Sequence, residues 1–122
     1  MLDIFAVGAG GFVGAVLRYL IGLMPVSETL IFPIKTFAIN VIGCLVIGMI
    51  AVALMRNTNL NPQMVLFLKV GLCGGFTTFS TFALETTDLM KAGHMGIAFA
   101  YVVLSVLVGI SVIFIVEYLS VR

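Results

Sequence analysis

Four stretches of this sequence are each apolar over the length a helix needs to cross a bilayer, roughly residues 4–24, 32–55, 64–90 and 96–119. A bilayer core demands about 20 such residues per helix. With no water there to bond the backbone, only helices or a closed barrel can span it. The connections left over, Pro25 to Ile31, Arg56 to Gln63 and Lys91 to Met95, carry the turn residues Pro, Ser, Glu, Asn and Gly. They leave no room for a soluble domain or a lid. The expectation is an all-α, multi-pass integral membrane protein, with residues 1–122 as a single transmembrane domain in the cell membrane (plasma or inner). Composition agrees: 62% of the chain is hydrophobic and 9% charged, against about 25% charged in soluble domains. The start of the chain does not read as a secretory signal, since it carries Asp3 rather than a basic cluster and its apolar run is too long.

A net charge of +1 gives no reason to expect nucleic acid as a partner. Cys44 and Cys73 both sit inside apolar stretches and read as reduced packing residues. Orientation in a membrane follows the excess of Lys and Arg on the cytoplasmic side. With four spans, Arg56, Lys69 and Arg122 fall nearer one face and Arg18, Lys35 and Lys91 nearer the other. Three against three is no bias. Such a chain can insert both ways, and the two orientations can pair as an antiparallel, dual-topology homodimer.

Gly10 and Gly14 form one GxxxG pair and Gly71 and Gly75 another, the pattern that lets helices approach closely in membranes. The run from Gly8 to Gly14 superficially resembles a dinucleotide loop, but it follows no strand, so packing is the better reading. Polar residues at membrane depth are more telling, because they are costly there. The second span carries Thr36 and Asn40 at i, i+4, and the fourth carries Tyr101 and Ser105 at the same spacing. The third carries Gly74-Gly75-Phe76-Thr77-Thr78-Phe79-Ser80-Thr81-Phe82, with Glu85 three residues on. Glycine is weakly helical and hydroxyls can satisfy freed backbone groups, so this segment predicts a helix broken near its middle. A break exposes carbonyls from one half-helix and amides from the other. Carbonyls suit a small hard cation, while the amide end favours an anion. Phe79 and Phe82, three apart, share a face, and an aromatic ring edge is electropositive. Packing is the ordinary alternative for both rings.

The Gly74–Phe82 run with Glu85 beyond it resembles the signature of the Fluc (CrcB) family of fluoride ion channels. The likeness extends along the chain: Gly11-x-x-Gly14-Ala15-x-x-Arg18-Tyr19, Thr36-x-x-x-Asn40-x-x-Gly43 and Tyr101-x-x-x-Ser105 resemble the family's motifs in the first, second and fourth helices. The resemblance implies an antiparallel homodimer in a lipid bilayer with two fluoride pores, giving passive export of fluoride ion that enters cells as HF and dissociates. It implies that Phe79 and Phe82 contact the ions through their ring edges and that Asn40 donates its amide. Ser80, Thr81, Tyr101 and Ser105 would extend a hydrogen-bonding track, and Thr36 and Glu85 are further candidate site residues. Arg18 would draw anions into a vestibule. Carbonyls of Gly74 and Thr77 from both subunits would hold one structural Na⁺.

The nearest rival is a small four-helix multidrug or cation transporter coupled to protons. That mechanism needs a carboxylate within the first span, where this chain has Arg18 and its only acid is Asp3 at the extreme end. Cationic substrates also favour Trp-rich cages, and the chain has no Trp. An enzyme is not expected, because His94, the single histidine, lies in a connection without a nucleophile or metal partner beside it.

Overall fold

The computed structural model describes residues 1–122 and contains helices only. Helix α1 runs Leu2–Gly22, α2 runs Ile34–Arg56, and the last helix, α6, runs Met95–Val121. The third span, Pro62–Lys91, is assembled from four pieces. These are α3 (Pro62–Val65), a π-helical stretch (Leu66–Cys73), α4 (Gly74–Phe76) and, after an interruption, α5 (Phe79–Lys91). All four spans are long and apolar enough to cross a membrane, and none of their ends departs by more than two residues from the limits expected from the sequence.

Local chemistry explains the ends. Asn61 caps the third span, its Oδ1 accepting from the amides of Gln63 at 2.8 Å and Met64 at 3.2 Å, with Pro62 in the first helical position. At the other end Gly93 adopts φ 85°, the left-handed conformation that glycine takes without penalty. The Gly93 amide then donates to the Met90 carbonyl and the His94 amide to that of Leu89, a Schellman closure that turns the chain directly into α6.

Helix α1 packs on the first half of the third span, and α2 and α5 pack on α6. The first contact is backbone against backbone. A β-carbon at Gly71 would sit 2.6 Å from the Val7 carbonyl and 2.8 Å from Gly10 Cα, and one at Gly14 would sit 2.7 Å from the Phe76 amide nitrogen. The two GxxxG pairs therefore face one another, as the packing reading requires. Basic side chains fasten the ends: Lys35 Nζ donates to the Gly22 carbonyl at the end of α1, and an Arg56 Nη2 donates to that of Ser120 near the end of α6, both at 2.7 Å.

The interior is small. Only 14 of the 122 residues are buried, so most apolar side chains face outward rather than into a core. The one buried cluster, Leu89, Ala98 and Tyr101 with Phe32, Phe37 and Phe82 around it, joins α5 to α6 beside the polar residues of the third span. Two features differ from the sequence expectation. Within the Gly74–Phe82 segment expected to break, the Gly74-Gly75 pair stays helical and the interruption falls at Thr77 (φ −76°, ψ 157°) and Thr78 (φ −149°, ψ 114°). Gly75 serves the approach of α1 instead, lying against Gly11, whereas Gly74 meets open space. The π-helical stretch was not expected at all.

Candidate functional site

The interruption at Thr77 and Thr78 organises the site. In an unbroken helix the Thr78 amide would bond to the Gly74 carbonyl; here it donates to Asn40 Oδ1 at 2.8 Å. Asn40 Nδ2 in turn donates to the Thr78 carbonyl at 3.1 Å. A single carboxamide from α2 thus takes both backbone groups of the residue that leaves the helix. The Thr81 amide is likewise diverted, donating to Thr78 Oγ1 at 3.2 Å, which makes Thr78 the N-cap of α5. Thr78 Oγ1 donates to Thr81 Oγ1 at 2.9 Å. On the near side Thr77 Oγ1 donates back to the Cys73 carbonyl at 2.8 Å.

These diversions leave backbone groups of both kinds at mid-span. The carbonyls of Gly74 and Thr77 lose their helical donors to Asn40 and Thr78, respectively. The amides of Phe79 and Ser80, at the start of α5, precede any intrahelical acceptor. The helix dipole puts partial positive charge at this second set.

Beyond the break, α5 carries a line of rings and hydroxyls. The Phe79 and Phe82 ring centroids are 5.7 Å apart at 47°, confirming their shared face. Phe82 meets Tyr101 edge-on at 5.0 Å, and Tyr101 meets Phe32 edge-on at 5.3 Å. Phe79 is 80% exposed, whereas Tyr101 is fully buried. Glu85 is the polar centre of this region: Thr36 Oγ1 donates to Oε1 and the Tyr101 hydroxyl to Oε2, each at 2.7 Å. Thr36, Glu85 and Arg18 line a cavity of about 250 Å³ together with Lys35, Thr78 and Thr81. A larger trough of about 430 Å³ opens on the other side of the break, lined by Asn40, Cys73, Gly74, Thr77, Thr78 and Phe79 among others.

Most of the residues singled out in the sequence therefore converge. Asn40, Thr77, Phe79, Ser80 and Thr81 surround the break, and Phe82, Glu85, Thr36 and Tyr101 form a connected cluster beside it. Arg18 enters the cavity that this cluster lines, with its Nε buried and unpartnered. Ser105 stands apart: its Oγ is buried with no partner, one turn along α6 from Tyr101. The same four-residue spacing thus gives one satisfied and one orphaned polar group. Cys44 and Cys73 are free thiols lining the trough. Sequence reasoning missed Thr78 as the cap and as Asn40's partner, the Phe32 ring on Tyr101, and Lys69 in the trough wall. For Thr78 a signal existed, since threonine is a favoured N-terminal cap residue.

Known proteins with similar sequences are numerous. The profile of the family described as "CrcB-like protein, Camphor Resistance (CrcB)" matches residues 5–116. A protein of Chlorobaculum tepidum named fluoride-specific ion channel FluC is 45% identical over 93% of this chain and 90% of its own length. Proteins of the same name from Methylobacillus flagellatus and Gloeothece citriformis are 43% and 39% identical. The first match covers 90% of this chain and 88% of its relative, the second 100% and 99%.

Proposed function

Because the chain belongs to the CrcB family, we propose that it is a fluoride-selective channel that lets cytoplasmic fluoride leave passively, and not an enzyme. The observation that carries the reading is the break in the third span, which sets an amide end and an exposed phenylalanine beside a row of hydroxyls at mid-membrane. Fluoride is small and strongly hydrated, so selective conduction requires donors that replace its water. This chain has them in sequence. Arg18 attracts the anion into the cavity it shares with Thr81 and Glu85. Ring edges of Phe79 and Phe82 then touch it, with the hydroxyls of Ser80 and Thr81 close by. Asn40 spends one N–H on Thr78 and keeps a second for the ion. The orphaned Ser105 Oγ is a donor waiting for a partner. Tyr101, held by Glu85, fixes the Phe82 ring.

The working unit in this reading is an antiparallel homodimer with two pores. Its support is the even distribution of basic residues and the exposure of the break: Gly74 and Phe79 lie on an open face of the single chain. A structural Na⁺ fits the same face. The Gly74 and Thr77 carbonyls, both released from helical bonding, are hard oxygen donors. Two subunits would supply four of them. The ion's contribution there is to neutralise carbonyl dipoles that face one another across the axis; it is not transported.

The decisive experiment is fluoride efflux from liposomes containing only the purified protein, with chloride as the comparison anion. Fluoride should leave far faster than chloride. Efflux no faster than from empty liposomes would overturn the proposal.

A further inference from the structure

The trough on the near side of the break contains a charge that the pathway described above does not use. Lys69 is the one charged side chain among the 11 residues lining it, alongside Asn40, Cys73, Thr77, Thr78 and Phe79. It sits in the π-helical stretch, and Lys69, Cys73 and Thr77, spaced four apart, carry the trough wall from the charge to the break. Three of the other basic groups have local tasks. Lys35 and Arg56 close helix ends, and Arg122 lies over the Tyr118 ring at 5.1 Å. Lys69 is exposed and pairs with no acceptor of this chain. It also stands seven residues inside the third span, about 10 Å from its start at helical rise, so its ammonium cannot be dismissed as a residue of the connection. A lysine at that depth is costly unless water or an anion reaches it.

We propose that Lys69 is an anion-collecting group of the channel, serving the side of the break opposite Arg18. This rests on the fluoride reading above. Arg18 shares its cavity with Thr81 and Glu85, which follow the break, whereas Lys69 precedes it on the same strand of chain. Positive charge thereby stands on both sides of the break, from Arg18 and Lys35 in one cavity and from Lys69 in the other. A charge in a trough with apolar walls focuses its field and raises the local concentration of anions, an effect that salt suppresses. The ordinary alternative is a lysine that merely extends its stem along the wall and leaves its head among lipid headgroups.

The two roles separate by ionic strength. Parent, Lys69→Met, Lys69→Gln and Lys69→Arg are reconstituted in neutral-lipid liposomes, and fluoride efflux is followed with an electrode at low fluoride. The background is an inert salt at about 10 mM and then about 1 M, where the screening length falls from about 30 Å to about 3 Å. The proposal expects both neutral variants to conduct about three- to tenfold more slowly than the parent in low salt and to converge with it in high salt. Lys69→Arg should follow the parent throughout. Size-exclusion profiles identify any variant that fails to assemble, and the second neutral variant then decides. Neutral variants equal to the parent in both salts would make Lys69 a headgroup anchor and overturn the proposal. A deficit of the same size in both salts would make it a packing residue, with the same consequence. A parent that passes no fluoride at all would bring down the channel reading itself, and this inference with it.

Discussion

Phe79 and Phe82 differ in a way that their identical spacing conceals. Phe79 is almost entirely exposed on the single chain, while Phe82 is wedged against Tyr101, so only the second ring has an obvious packing role. If both ring edges contact fluoride, isoleucine at either position should reduce flux at least about tenfold, equivalent to about 1.4 kcal/mol on the barrier. Isoleucine retains apolar bulk, so a packing role would tolerate it with a modest loss of stability. Phe114, stacked on Tyr118 late in α6, provides the control and should tolerate the same change. Flux and a size-exclusion profile for each variant suffice, and parent-like flux in both Phe79→Ile and Phe82→Ile would relegate the rings to packing. Much of this site was legible in the sequence, since polar side chains at membrane depth announce themselves. Their partners were less so. Thr36 and Asn40 share a face of α2, yet one reaches Glu85 and the other Thr78, and no spacing within α2 distinguishes those destinations.

At the level of elements, the four spans could be read because apolar length is a local property. Which residues of the Gly74–Phe82 segment leave the helix could not, because that is set by a side chain 38 residues away in α2. Glycine seemed the weak point of the third helix, but Gly71 and Gly75 are committed to the approach of α1 and remain helical. The π-helical stretch has the same origin: it lies where the two backbones meet, a tertiary circumstance with no signature in the apolar pattern. Close approach yields a sharp prediction. Gly71→Ala would drive a methyl into the Val7 carbonyl and Gly10 Cα, an overpacking that typically costs about 1–3 kcal/mol. Gly8→Ala, where a methyl meets open space, should be neutral or slightly stabilising. Thermal unfolding in detergent should separate the two, and equal midpoints would mean that the α1 contact is looser than it looks.

For the whole molecule, the small interior and the open trough leave much apolar surface outward, which the proposed assembly would share between lipid and a second copy. With basic residues evenly divided, reporter tags at the C-terminus should find both orientations in comparable amounts. A uniform orientation would remove the antiparallel homodimer. The same assembly predicts a dependence on sodium that a lone chain would not have. Prolonged sodium removal should weaken both the dimer and fluoride transport if the Gly74 and Thr77 carbonyls share an ion across the two-fold axis. Unchanged dimer and unchanged transport would show that the site is wrongly assigned.

Thr78 meets Asn40 much as a residue in an antiparallel ladder meets its hydrogen-bonded partner, spending amide and carbonyl on one neighbour. A protein without strands thus contains a single rung of sheet, with a carboxamide standing in for the second strand. That rung seals the edge which an unwound segment would otherwise present to its surroundings. The Thr78 amide should therefore be as closed to solvent protons as those of the flanking helices, while the free amides of Phe79 and Ser80 stay open. In hydrogen exchange the Thr78 amide should be slow, although it belongs to no helix, and Asn40→Ala should release it. Fast exchange in the parent would mean that the rung opens freely and that the break is a hinge.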